Sequence, residues 1–120
     1  MKRRVLALGL DPVAVDLGDP RFTPEMVRAY IDAEMARVAA LGVEVVTCLV
    51  HPGQAPQAAA TEALRTGAFD VVMFGAGLNS PEQLLLFEQL LNLVHAQAPQ
   101  ARLCFNSRPG DSAEAVQRWL

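Results

Sequence analysis

Four short apolar runs, separated by longer segments in which apolar residues recur with a helical period, constrain the fold of this chain more than any other feature. The runs are RVLALGL at 4–10, VEVVTCLV at 43–50, DVVMFGAG at 70–77 and ARLCFNS at 101–107. Three of them are almost continuously apolar, which is typical of parallel strands that helices cover on both faces. The segments between them are long enough for helical crossovers. The sequence therefore predicts an alternation of four strands and four helices.

Signals at the predicted helix ends agree with this order. Thr23, followed by Pro and Glu, and Ser80, with Gln three positions later, are predicted to begin the first and third helices. Asp111 predicts a weaker start for the fourth helix. Gly42 and Gly67 predict the ends of the first two helices. The second helix, expected at about 56–66, has no strong capping residue.

These elements predict one α/β domain of three layers, αβα, built on a four-stranded parallel sheet with the flavodoxin-like strand order 2-1-3-4. A chain of 120 residues suffices for one such domain and is too short for two. In open sheets of this kind, ligands bind beyond the carboxyl ends of the strands, where the strand order reverses. We therefore expect a site between the loops that follow the first and third strands.

The net charge and the lengths of the apolar segments argue against two classes of partner, nucleic acids and membranes. The net charge is −3 and the basic residues are scattered, so no nucleic acid partner is predicted. No apolar segment approaches the length of a membrane span, and the apolar run at 5–10 is too short for a signal peptide, so a cytoplasmic protein without a membrane partner is expected. Cys48 and Cys104 lie in apolar runs without metal-ligand spacing, and we expect both to be buried reduced thiols.

The predicted third helix carries more apolar residues than a helix on a sheet needs. Its apolar positions cover about half of the circumference, with one more leucine on the polar side: Leu84, Leu86, Phe87, Leu90, Leu91, Leu93 and Val94, and then Leu85. A surface helix usually needs an apolar stripe about 100° wide. Two interpretations remain open: packing against the sheet and a neighbouring helix, or an interface in a homodimer.

Asp11 and His51 are the candidate catalytic residues. They follow the first and second strands and should be neighbours at the carboxyl edge of the sheet. An imidazole beside a carboxylate suits acid/base chemistry or metal binding. The alternative is that each forms a turn in its own loop, as we expect of Asp16 and Asp19. We assign no metal ligands among these residues, and metal dependence stays open.

Two further loops supply candidate ligand-binding residues. After the third strand, Gly75, Gly77, Asn79 and Ser80 precede a helix, where free N–H groups can hold an anion. After the fourth strand come Asn106 and Arg108, whose guanidinium could bind a carboxylate or phosphate. In both loops the alternative is a tight turn without a ligand. The dinucleotide fingerprint and the Walker A motif are absent.

The order of elements resembles the flavodoxin-like class, which includes phosphoreceiver domains, but Phe74 and Gly75 stand where a receiver carries its phosphoacceptor aspartate. The segments GLDP, FGAG, LCFNS and AEAVQRW resemble a group of small bacterial proteins of flavodoxin-like or Rossmann-like type, and no activity carries over from that resemblance. The sequence predicts binding of a small polar or anionic ligand, with acid/base or metal-assisted chemistry left open. The alternative is a non-enzymatic homo-oligomeric or regulatory module that uses the third helix.

Overall fold

The computed structural model describes residues 2–120, in which four strands form one parallel sheet. The strands are β1 (Arg4–Leu10), β2 (Glu44–Val50), β3 (Val71–Phe74) and β4 (Arg102–Phe105). Their order across the sheet is β2-β1-β3-β4, and every neighbouring pair is parallel. This confirms the predicted flavodoxin-like order, with the reversal of strand order between β1 and β3.

Four helices cover the two faces of the sheet: α1 (Pro24–Ala39), α2 (Pro56–Leu64), α3 (Leu84–Gln97) and α4 (Ser112–Gln117). Side chains alternate between the faces along each strand. Leu6 and Leu8 of β1 pack in one core with α2 and α3, whereas Val5 and Ala7 pack in a second core with α1 and α4. Two apolar cores, one on each face of the sheet, complete the predicted αβα layers.

The observed helix starts agree with some of the predicted starts and differ from others. The Thr23 hydroxyl accepts a hydrogen bond from the backbone N–H of Met26 at 3.1 Å, so the predicted N-cap of α1 is confirmed. Ser80 was expected to begin the third helix, but α3 begins at Leu84. A 3₁₀ turn at Pro81–Gln83 comes first, and the Ser80 side chain makes no capping hydrogen bond.

The backbone around α2 explains why its start carries no capping signal. Ala55 precedes the helix in the left-handed region, with φ of 47°, and no side chain caps the first turn. Ala55 is the one non-glycine residue with positive φ between residues 2 and 120. After α1, by contrast, Gly42 adopts a φ of 90°, a conformation that favours glycine at a helix end and agrees with the predicted stop.

Two strands end earlier than the apolar runs suggest. β3 ends at Phe74, although the backbone N–H of Gly75 still donates to the carbonyl of Leu8 at 2.8 Å. The chain then forms a 3₁₀ turn at Ala76–Leu78. β4 ends at Phe105, two residues before the end of its run. The glycines and the polar residues Asn106 and Ser107 therefore lie in loops at the carboxyl edge of the sheet.

Both cysteines are free thiols, on opposite faces of the sheet; Cys104 is buried as expected, whereas Cys48 is only half-buried. Burial raises the pKa of the Cys104 thiol to about 11, and the nearby Arg118 opposes this shift only in part. Burial, assisted by the charge of Glu62, also raises the pKa of Cys48. Thiols with raised pKa values are poor nucleophiles at neutral pH. Among residues 2–120, no helix is both long and apolar enough to span a membrane.

Candidate functional site

A cleft opens at the carboxyl edge of the sheet, on the face covered by α1 and α4. It holds about 480 Å³ of empty space, including the part that is open to solvent. It lies where the strand order reverses, the place at which ligands bind in open α/β sheets. Its lining comes from all four strand ends, α1 and the start of α4: Ala7, Leu8, Gly9, Leu10, Ile31, Met35, Thr47, Leu49, Met73, Gly75, Ala76, Gly77, Asn106, Pro109 and Ser112.

Small residues create the floor of the cleft. Ala7 and Gly9 of β1 alternate onto the face toward α1, and Gly75 follows β3 beside them. A Cβ atom on Gly75 would lie 3.3 Å from Gly9 Cα, and one on Gly9 would lie 3.2 Å from Leu49 Cδ2. The two glycines therefore let the strand ends approach each other and leave space above them that larger side chains would fill.

The walls of the cleft are mainly apolar. Ile31 and Met35 of α1 form one wall, and Leu49 and Met73 lie at the strand ends. The polar side chains are those of Thr47, Asn106 and Ser112, and within the described part of the chain no charged side chain lines the cleft. Apolar walls with a few polar groups in fixed positions are typical of small-molecule sites.

The loop between β4 and α4 fixes the polar side of the cleft. The Asp111 carboxylate accepts hydrogen bonds from the backbone N–H and hydroxyl of Ser107, and from the backbone N–H of Arg108. The Ser107 hydroxyl contributes most to lowering the pKa of Asp111 below its usual range. A carboxylate that accepts several hydrogen bonds holds its turn in one conformation.

Hydrogen bonds of Asn106 and Ser112 connect this loop to the lining of the cleft. Ser112 is fully buried, and its hydroxyl donates to the carbonyl oxygen of Pro109 at 2.7 Å. Asn106 Nδ2 donates to Ser112 Oγ at 2.9 Å. Asn106 Oδ1 is inaccessible to solvent and has no hydrogen-bond partner within residues 2–120. Such a group is uncommon in folded proteins and calls for an explanation.

Asp11 and His51 lie side by side at the ends of their strands, as predicted. The register pairs Leu10 with Val50, and the backbone N–H of Asp11 donates to the carbonyl of Val50 at 2.8 Å. Their side chains, however, point to separate partners. Asp11 Oδ1 accepts from the backbone N–H of Val13, and His51 Nδ1 accepts from that of Gly53.

The remaining contacts of Asp11 and His51 do not join the two side chains. Asp11 Oδ2 lies 3.9 Å from a guanidinium nitrogen of Arg28, a distant ion pair. No hydrogen bond or ion pair joins Asp11 to His51 among the described residues, and neither side chain lines the cleft. Their predicted catalytic roles stay predictions.

The other aspartates of the loop after β1 form local turns. Asp16 accepts a hydrogen bond from the backbone N–H of Gly18, and Asp19 accepts one from that of Arg21. Hydrogen bonds from the Arg21 side chain and backbone lower the pKa of Asp19. Each of these bonds spans two residues, the pattern of an Asx turn. The sequence interpretation of these two residues as turn formers agrees with these contacts.

The predicted ligand-binding residues divide between two cavities and the surface. Gly75, Gly77 and Asn106 line the cleft. Asn79 lines a second cavity on the face of α3, which Gly75 and Asn106 also border: Phe74, Gly75, Asn79, Phe87, Leu91, Phe105 and Asn106. Ser80 and Arg108 line neither cavity. The structure therefore brings together three of the six residues around one cleft.

Residues of α1 and α4 complete the cleft, and sequence reasoning did not select them. Ile31 belongs to the apolar stripe of α1, and Met35 lies one turn later on the same helix. Periodicity identifies such positions as facing inward, but it does not distinguish core from cleft. Ser112 carries no sequence signal, because its role depends on the hydrogen bonds of a loop. In residues 2–120, no three His, Cys, Asp or Glu side chains are grouped to hold a metal ion.

Comparison of the sequence with models of protein families and with curated proteins, and of the structure with solved structures, finds no match.

Proposed function

We propose that the protein binds a small neutral molecule in the cleft between α1 and the loop that joins β4 to α4. The observation that carries the proposal is a cleft with a floor of small residues, at the point where the strand order reverses. Apolar burial of a ligand against Ile31, Met35 and Leu49 would supply affinity, and Asn106 and Thr47 would supply orientation.

The sequence predicts a polar or an anionic ligand, and the absence of charge in the lining, within residues 2–120, favours a neutral polar molecule over an anion. Arg108 is exposed and lies outside the cleft lining. An anion would leave water for a mainly apolar site without a paired cation, which is costly. Asp11 and His51 also lie outside the lining, so the proposal is binding, and it assigns no reaction.

The substitution Gly9→Val tests the proposal. Wild type and variant, labelled with ¹⁵N, are titrated with toluene, phenol, anisole and N-methylacetamide while NMR follows the backbone amides. We expect at least one molecule to shift the signals of Gly75, Ala76 and Gly77 in the wild type. In Gly9→Val we expect its affinity to fall at least about tenfold, because the valine side chain fills the floor of the cleft.

Gly53→Val is the matched control, since Gly53 lies in the turn after β2 and outside the cleft. A Cβ there meets the His51 ring at 3.4 Å, an ordinary contact. This variant should bind as the wild type does. The proposal is wrong if no probe shifts the cleft amides, or if Gly9→Val binds as tightly as Gly53→Val.

A homodimer that uses α3 is the second candidate function, and one surface favours it. Leu84, Phe87 and Leu91 share a stripe of α3, and the Phe87 ring lies 6.0 Å from that of Phe105 on the edge strand β4. Leu84 is 62% exposed and Phe105 48%. Leu85, beside the stripe, is 73% exposed. Adjacent exposed apolar side chains of this size are typical of interaction surfaces.

If α3 forms a homodimer, Leu84→Glu should convert it to a monomer, because a charge would be buried at the interface. Light scattering coupled to size-exclusion chromatography measures the mass over a wide range of protein concentration. Gln97→Glu is the control, since Gln97 is exposed at the far end of α3 from these residues. A wild-type protein that is monomeric at every concentration contradicts this second function.

A further inference from the structure

The hydrogen bonds around Ser112 fix the orientation of the Asn106 side-chain amide. A serine hydroxyl has one hydrogen to donate. Ser112 Oγ lies 2.7 Å from the carbonyl oxygen of Pro109, which can only accept, so the hydroxyl hydrogen is directed there. Ser112 Oγ must then act as the acceptor toward Asn106 at 2.9 Å. The atom of Asn106 that faces Ser112 is therefore the amide nitrogen, and the reversed amide would place two acceptors together.

This orientation leaves Asn106 Oδ1 as an acceptor without a donor in the described chain. Asn106 follows the last residue of β4 and borders both the cleft and the second cavity. Its bond to Ser112, at the start of α4, holds the amide nitrogen on the side of the cleft. A ligand seated in the cleft would lie beside this amide, because Asn106 lines the cleft.

We infer that the ligand of the cleft carries an N–H or O–H group that donates a hydrogen bond to Asn106 Oδ1. This inference rests on the proposed function and adds to it the chemical class of the ligand: a compact, mainly apolar, neutral molecule with a hydroxyl, amide or lactam donor. The apolar body contacts Ile31 and Met35, and the donor reaches Oδ1 on the opposite wall. Oδ1 is inaccessible to solvent in the structure, so the inference requires the Asn106 amide to move when the ligand binds.

The same geometry discriminates against molecules that lack a donor. A carboxylate, an ester or an ether would place a second acceptor beside Oδ1 and leave the buried acceptor unsatisfied. A site built to form a hydrogen bond rejects an analogue without the partner more strongly than an apolar wall rejects a change of size. Ligand choice therefore depends on the direction of the hydrogen bonds from Pro109 through Ser112 to Asn106.

Phenol and anisole test the inference, because they share a ring and differ in the hydroxyl donor. Dissociation constants for both are measured by NMR titration of the wild type, of Asn106→Leu and of Asn92→Leu. Asn92 is exposed on α3 and lines neither cavity, so Asn92→Leu is the matched control. The preference for phenol over anisole should fall about three- to tenfold in Asn106→Leu, the range expected for one hydrogen bond. It should be unchanged in Asn92→Leu.

A second measurement needs no variant. In the wild type, phenol should shift the Asn106 Nδ2 proton signals further than anisole does at equal occupancy, because a donor to Oδ1 polarises the amide. Equal effects of the two molecules on these signals, or an equal preference in wild type and Asn106→Leu, overturn the inference and leave the proposed function standing. If neither molecule nor any other probe shifts the cleft amides, the proposed function and the inference both fail.

Discussion

Replacing Phe74 with alanine is expected to lower the free energy of unfolding by about 3–5 kcal/mol, the usual cost of removing a buried phenylalanine. Phe74 ends β3 with 1% of its surface exposed. Its ring stacks on Phe105 at a centroid distance of 5.7 Å and lies at the same distance from Phe87. The substitution removes these contacts and opens a cavity between the sheet and α3. Urea unfolding followed by circular dichroism measures the change.

Phe105→Ala is the matched control for this prediction. The two rings stack on each other, but Phe105 lies on the edge strand and is 48% exposed. Removal of its ring creates no enclosed cavity, and only part of the side chain leaves water on folding. The free energy of unfolding should therefore fall by about 1–2 kcal/mol. Equal losses in the two variants would show that α3 does not seal the core over β3.

The order of the strands could be predicted because it depends on features that a sequence carries directly. β1 and β3 lie at the centre of the sheet and are buried on both faces, so their residues form apolar runs. β2 at one edge is only half-buried, yet its branched residues still identify it as a strand. Right-handed crossovers and a four-strand limit leave few alternative orders.

The boundaries of the elements were harder to predict, and Ser80 shows why. The segment from Ser80 to Gln83 has the residue types of a capping box, but it forms a 3₁₀ turn in which the backbone N–H of Gln83 donates to the carbonyl of Ser80. The apolar residues of α3 must face the sheet, and this requirement sets where the helix begins. Packing of Leu86 and Leu90 therefore overrides a local signal worth about 1 kcal/mol.

The location of the candidate cleft could be predicted more fully than the residues that line it. Strand ends that converge on one edge follow from topology, so Gly75, Gly77 and Asn106 could be selected from the sequence. The local bonds of Asp11 and His51 could be given only as an alternative, because the sequence does not show whether a side chain in a loop bonds a nearby backbone N–H or a side chain beyond the next strand. The role of Ser112 depends on a carbonyl three residues earlier, which only the folded loop reveals.

Ser112→Ala is expected to destabilise the fold by about 1–3 kcal/mol and to weaken the proposed preference of the cleft for ligands that donate a hydrogen bond. The substitution leaves the amide of Asn106 without its buried acceptor, so the amide loses the contact that fixes its orientation. Either amide atom can then face the cleft, and phenol and anisole should bind with more nearly equal affinity. Urea unfolding and the NMR titrations measure the two effects.

Ser107→Ala separates the role of Ser112 from a general loosening of the loop. Ser107 is exposed and bonds Asp111 on the outer side of the same loop, so its loss should cost less than about 1 kcal/mol and leave the ligand preference unchanged. If Ser107→Ala alters the preference as much as Ser112→Ala does, the order of the whole loop selects the ligand. If only Ser112→Ala alters it, the direction of a single buried hydrogen bond decides which molecules this cleft accepts.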